Sequence, residues 1–83
     1  MTLEQSLKSF IEENLLRDQT NKTVTYEEEL VERGVIDSMG LMNLIAFIEE
    51  RAGVRVPDDE VMLENFATIK DIVKTVDRLK ERR

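Results

Sequence analysis

The run GVIDSMGLMNL, residues 34 to 44, sets Asp37 and Ser38 at the threshold of an apolar, helix-like segment. A serine hydroxyl there can act as a nucleophile, cap the helix, or receive a group delivered by another enzyme. Nucleophilic use needs a base, usually histidine, within hydrogen-bonding reach. The chain contains no histidine. Only lysines and carboxylates could replace it, which disfavours a serine hydrolase. The chain also has no cysteine, so disulfide frameworks and thiolate metal sites are excluded, and without cysteine or histidine a transition-metal centre is not expected. DDEVMLEN lacks the alternating oxygen ligands and central glycine of a calcium loop. For Ser38 two roles remain: a cap, or a substrate for an outside enzyme.

The elements that position Ser38 follow from apolar spacing. Leu3, Leu7, Phe10, Ile11 and Leu15 recur at helical intervals and predict a first amphipathic helix over Leu3–Leu16. The polar RDQTNKTVT ends it, and YEEELVERG holds at most a helical turn before Gly34 breaks it. GVID then forms an extended approach. A second main helix begins at Asp37 or Ser38, both good residues for accepting first-turn amides, and ends near Ala52. Gly53 suits the left-handed position after it, and Pro57 lies just beyond. PDDEVMLENFA reads as a short helix opened by Pro57, Asp58 and Asp59. Thr68 caps a last helix whose apolar face is Ile69, Ile72, Val73, Val76 and Leu79, with the basic RLKERR at its negative pole. The expected fold class is all-α: a bundle of three main helices plus one short helix, with a long first connection.

At about 100° per residue, Leu41, Leu44, Ile45, Ile48 and Ala52 share one sector of the second main helix. Met39, Met42 and Ala46 fall in another, flanked by Asn43, Glu49 and Glu50. A small bundle needs one apolar face per helix for its core. The second stripe is therefore a candidate contact surface, and flexible methionines suit several partners. Phe47 falls between the two faces.

Eighty-three residues make one small domain, and its composition is that of a soluble globular chain. The net charge of −6 argues against nucleic acid as a partner. From Glu27 to Glu64 there are eleven acidic and three basic residues, whereas Asn65 to Arg83 carries three acidic and six basic. The acidic middle suits basic patches on other proteins. Neither a signal-peptide pattern nor an apolar run long enough for a transmembrane segment is present in the sequence, so a cytoplasmic monomer is expected.

The stretch LVERGVIDSMGLMNLIAFIEERAGVRVP, with the acidic middle and the helix spacing, resembles the acyl carrier protein family over essentially the whole chain. Family members carry an Asp-Ser-Leu-like motif at the start of the second main helix. Here it reads DSM, with GVI ahead and VRVP behind. The resemblance implies a single acyl carrier domain over residues 1–83. It also implies that a phosphopantetheinyl transferase attaches 4′-phosphopantetheine from coenzyme A to Ser38. Asp37 is then the residue preceding the modified serine and a contact for the transferase. The prosthetic arm would supply the only thiol. Acyl or aminoacyl ligases and downstream biosynthetic enzymes would be the other partners. Met39 and Met42, with Ala46 beside them, match positions where enzymes dock, and Glu49 and Glu50 match an acidic ridge. Met39 replaces the more usual leucine. Gly40 and Asn43 stand where fatty-acid carriers often have acidic residues. The longer DDEVMLENFATI resembles the ending of stand-alone aminoacyl and peptidyl carriers. The alternative is a helical interaction module in which Ser38 is only a cap.

Overall fold

The computed structural model describes residues 2–16 and 19–82. Expectations that touch Arg17, Asp18 and the final Arg83 lie outside the described residues. Among the described residues, four α-helices, α1 (Leu3–Asn14), α2 (Leu30–Arg33), α3 (Ser38–Ala52) and α4 (Ile69–Glu81), and two 3-10 turns make up the regular structure. The all-α bundle expected from the sequence is the fold observed.

Each long helix opens on a side-chain cap. At α1 the cap is reciprocal: the Gln5 amide donates to Thr2 Oγ1 at 3.2 Å, and the Thr2 amide donates to Gln5 Oε1 at 3.0 Å. Thr68 Oγ1 accepts from the Asp71 amide at 3.0 Å at the head of α4, as the sequence predicts. α1 stops two residues short of Leu16, yet Leu16 is still buried in the core.

The core forms where α1, α3 and α4 meet. Leu7 and Ile11 enter it from α1, Leu44, Ile45 and Ile48 from α3, and Ile69, Ile72, Val76 and Leu79 from α4. Burying each such side chain stabilises the fold by about 1.5–3 kcal/mol before entropy is subtracted. Phe10 and Phe47 stack at the α1–α3 seam with centroids 4.4 Å apart, which places Phe47 between the two faces of α3.

The predicted short helix over PDDEVMLENFA does not form as such. Two 3-10 turns, Asp58–Glu60 and Leu63–Phe66, take its place, separated by extended backbone at Met62. Only Phe66 in this stretch is deeply buried, while Met62 and Leu63 face solvent, so no apolar stripe holds a continuous helix against the core. The Asn65 side chain closes the loop instead, donating to the Glu60 carbonyl at 2.8 Å. The Glu60 carboxylate pairs with Arg78 and Arg82 on α4. The short α-helix of the bundle is α2.

Candidate functional site

The approach to α3 is set by two conformational constraints. Gly34 closes α2 in the left-handed region at φ 82°, where a side chain would be strained. Val35 and Ile36 then bury their side chains and anchor the incoming strand of chain. Asp37 is extended, at φ −110° and ψ −172°, and Ser38 begins the helix. Of the two cap candidates in the sequence, Asp37 takes the role: its Oδ1 accepts from the Gly40 amide at 2.7 Å. Ser38 stands at the first helical position, exposed, and its hydroxyl makes no hydrogen bond among the described residues.

The Leu41 amide bonds to the Asp37 carbonyl at 2.8 Å. With Gly40 capped, the Ser38 and Met39 amides are the first-turn donors left without an intramolecular acceptor among the described residues. An anionic group beside Ser38 would meet these donors and the positive pole of a fifteen-residue helix.

Gly40 is buried, and a Cβ built on it would lie 3.1 Å from Asp37 Oδ1 and 3.6 Å from both Leu15 Cδ2 and the Val35 carbonyl oxygen. The missing side chain leaves room for the Asp37 carboxylate to close on the first turn of α3. Sequence reasoning noted Gly40 only as a departure from an acidic pattern. A glycine within a helix costs about 1 kcal/mol relative to alanine, and that cost was the signal of a close approach.

The second stripe of α3 is solvent-facing. Met39 is 77% exposed and Met42 64%, values far from core burial. Ala46 and Glu50 are exposed beside them. Glu49 is half-buried, and its Oε2 accepts from the Val56 amide at 2.8 Å, tying the chain after α3 back to the helix. Met39, Met42, Ala46 and Glu50 thus share one open surface next to Ser38, while Glu49 has a structural bond at its edge.

The family described as the phosphopantetheine attachment site matches residues 5–76. The chain belongs to that carrier family. Among similar proteins, the D-alanyl carrier protein of Streptococcus sanguinis (strain SK36) is 32% identical over 80 residues, covering 96% of this chain and 98% of that protein. The D-alanyl carrier protein of Streptococcus suis (strain 05ZYH33) is 32% identical over 76 residues, 92% of each chain. The acyl carrier protein of Helicobacter acinonychis (strain Sheeba) is 31% identical over 77 residues, covering 93% of this chain and 94% of that protein.

Membership in this carrier family implies a covalently attached 4′-phosphopantetheine. The head of α3 fits such a group: it offers an exposed hydroxyl, two unpaired amides for a phosphodiester, and a carboxylate already engaged by the Gly40 amide. Carriers of this kind work with transferases, ligases and biosynthetic enzymes. Among the described residues of this carrier, no helix is long and apolar enough to cross a membrane.

Proposed function

We propose that this chain is a stand-alone, single-domain carrier, itself non-catalytic, with 4′-phosphopantetheine attached to Ser38. One observation carries the assignment to Ser38: Asp37 holds the helix cap, which leaves an exposed hydroxyl with no structural duty at the head of α3. The rival role, a serine present only to cap, loses its reason once the cap is Asp37.

The bond to be formed joins Ser38 Oγ to the phosphorus of coenzyme A's phosphopantetheine, with adenosine 3′,5′-bisphosphate as the leaving group. The hydroxyl proton must pass to a base on the phosphopantetheinyl transferase, because this chain has no histidine and no described side chain in hydrogen-bonding contact with Ser38. When attached, the group supplies a terminal thiol on which an acyl or aminoacyl unit is held as a thioester. Asp37 fixes the helix start, and the Ser38 and Met39 amides stabilise the phosphodiester, an effect of about 0.3–1 kcal/mol at a helix terminus.

Met39, Met42, Ala46 and Glu50 form the docking face for the transferase, a loading ligase and downstream enzymes, with Glu49 contributing from its edge. Small, polar-rimmed interfaces of this kind exchange quickly, as a shuttle requires. The D-alanyl carriers among the relatives, together with Gly40 and Asn43 in place of acidic residues, favour an aminoacyl cargo over a fatty-acid, polyketide or peptidyl one. The working location is the cytoplasm, where coenzyme A and the ligases are found.

Incubation with coenzyme A and a broad-specificity transferase tests the assignment. The intact mass should rise by one phosphopantetheine, and Ser38→Ala should abolish the rise. A rise that survives the substitution would move the site elsewhere, and a chain that stays bare would end the carrier reading.

A further inference from the structure

Every methionine among the described residues lies at the surface. Met39 is 77% exposed, Met42 64% and Met62 44%, while the apolar core is built from leucine, isoleucine, valine and Phe66. Met39 and Met42 stand on the docking face of α3, in its first turns beside Ser38. We propose that these two residues are a reversible oxidation site: peroxide converts their thioethers to sulfoxides, and the sulfoxides switch docking off. The inference rests on the docking role given to this face.

Chemistry selects these side chains. The chain has no cysteine and no tryptophan, so its methionine thioethers are the groups that a mild peroxide oxidises first. In the step, a sulfur lone pair attacks one peroxide oxygen. The S–O bond forms as the O–O bond breaks, and the departing hydroxide takes a proton to become water. Sulfur loses two electrons and the peroxide gains them. A dithiol reverses the change: it becomes a disulfide, and the oxygen leaves as water. Oxidation needs access to the sulfur, and Met39 and Met42 are the most exposed large apolar residues among those described.

Position makes the oxidation consequential. Three residues apart on one helix, the two side chains are neighbours, with Cβ atoms about 5–6 Å from one another. They supply the large apolar groups of the stripe, to which Ala46 adds one methyl. A sulfoxide oxygen is a hydrogen-bond acceptor that water satisfies on the free carrier. A partner that docks on the stripe must strip that water and offer a donor in its place. An apolar pocket offers none, so docking weakens. Glu50 keeps its charge, so the loss falls on the contact itself and not on electrostatic steering.

The same exposure protects the fold. No described methionine fills the core, so the added oxygens stay in water and displace no packed atoms. Oxidation thus separates docking from stability, and removing the oxygens restores the original face.

The test uses the apo chain, in which no prosthetic thiol competes for the oxidant. Hydrogen peroxide is applied until intact mass and peptide mapping show one added oxygen at Met39 and one at Met42. The kcat/KM for phosphopantetheine transfer should then fall on the order of tenfold, the scale of an unpaired polar group at a contact. Circular dichroism should show an unchanged unfolding midpoint. Reductases for both sulfoxide epimers, with dithiothreitol, should restore the rate. A second chain, Met39→Leu with Met42→Leu, keeps Met1 and Met62 as oxidisable controls. Each chain is compared with its own unoxidised form, so any effect of the leucines on docking cancels. The leucine chain should keep its rate through the peroxide treatment.

An equal loss in the leucine chain overturns the switch by placing the effect at Met1 or Met62. Thioethers at 39 and 42 that stay unoxidised while Met62 reacts overturn the modification site. Sulfoxides at both positions with no loss of transfer also overturn the switch. In that case Met39→Gln with Met42→Gln decides the docking reading: a lowered kcat/KM leaves that face standing, and an unaltered one removes both. A chain that gains no phosphopantetheine in any form ends the carrier reading and this inference with it.

Discussion

The Asp37 carboxylate and the Gly40 amide meet at 2.7 Å, and this contact decides what Ser38 is free to do. A serine in the same position could have capped the helix itself. With the neighbouring aspartate in that role, stability and modification are divided between adjacent residues. Asp37→Ala should destabilise the fold by about 1 kcal/mol, the usual cost of losing an N-cap. Ser38→Ala should change stability by less than about 0.5 kcal/mol, as exposed substitutions generally do. Urea denaturation followed by circular dichroism measures both. Equal losses for the two variants would give Ser38 a share of the cap and weaken its assignment as an attachment point.

Met39 and Met42 supply a second separation of stability from function. Both are far more exposed than any core residue, so Met39→Gln with Met42→Gln should leave the unfolding midpoint nearly unchanged. The same pair should lower kcat/KM for phosphopantetheine transfer on the order of tenfold, the scale expected when apolar anchors of a small interface are removed. Glu50→Lys should act mainly on the association rate and its salt dependence. An unaltered kcat/KM for the methionine variant would move the transferase contact off this face.

Periodicity made the site legible because it depends on short-range geometry. Ser38 to Ala52 reads as one helix from its polar start and its closing glycine, and the separation of Leu44 and Ile48 from Met39 and Met42 follows from the helical repeat alone. The choice between Asp37 and Ser38 as cap was not legible, since both residue types serve equally well there. Residues 57–67 failed for another reason. PDDEVMLENFA has the composition of a helix, but only Phe66 in it reaches the core, and Glu60 is held by Arg78 and Arg82, partners eighteen and twenty-two residues away that no local pattern contains. Gly40 was visible as a residue but not as a steric requirement, which only the closeness of the Asp37 capping carboxylate reveals.

Arg33 holds the long first connection in the same nonlocal way. Its guanidinium donates to the Thr23 carbonyl at 2.8 Å, the Asn21 carbonyl at 2.5 Å, Glu28 Oε2 at 2.6 Å and Gln19 Oε1 at 3.3 Å. One planar fork thus serves four acceptors, a geometry that an ammonium cannot copy. Arg33→Lys should cost about 1.5–3 kcal/mol, the range for hydrogen bonds to charged groups. Hydrogen exchange should quicken across residues 19–28 and remain slow at Leu44, Ile48 and Ile72. Uniform acceleration throughout the chain would contradict a local role.

The middle of that connection is tied to α1 through Glu12, and this tie should make stability depend on pH in a defined direction. Glu12 Oε2 accepts from Lys8 Nζ at 2.8 Å and from the Val24 amide at 2.9 Å. The Lys8 hydrogen bond is the main cause that lowers the Glu12 carboxyl from its ordinary 4.5, aided by Val24 and opposed by partial burial. The same bond is the main cause that raises Lys8 from 10.5. A lowered carboxyl contributes stability that is complete above the ordinary glutamate value and is lost as pH falls through the folded value. A raised amine contributes stability that is complete below 10.5 and is lost as pH rises through its folded value. The stability difference between the native chain and Glu12→Gln should therefore stay level between 4.5 and 10.5 and shrink on either side. Glutamine can still accept from Val24, so the substitution removes the charge and keeps the tie to the backbone. Using the difference cancels the titration of the other carboxylates. High salt should flatten the profile, because both side chains of the pair are partly open to solvent. A difference that persists unchanged into acid would assign the effect of Glu12 to packing and not to its charge.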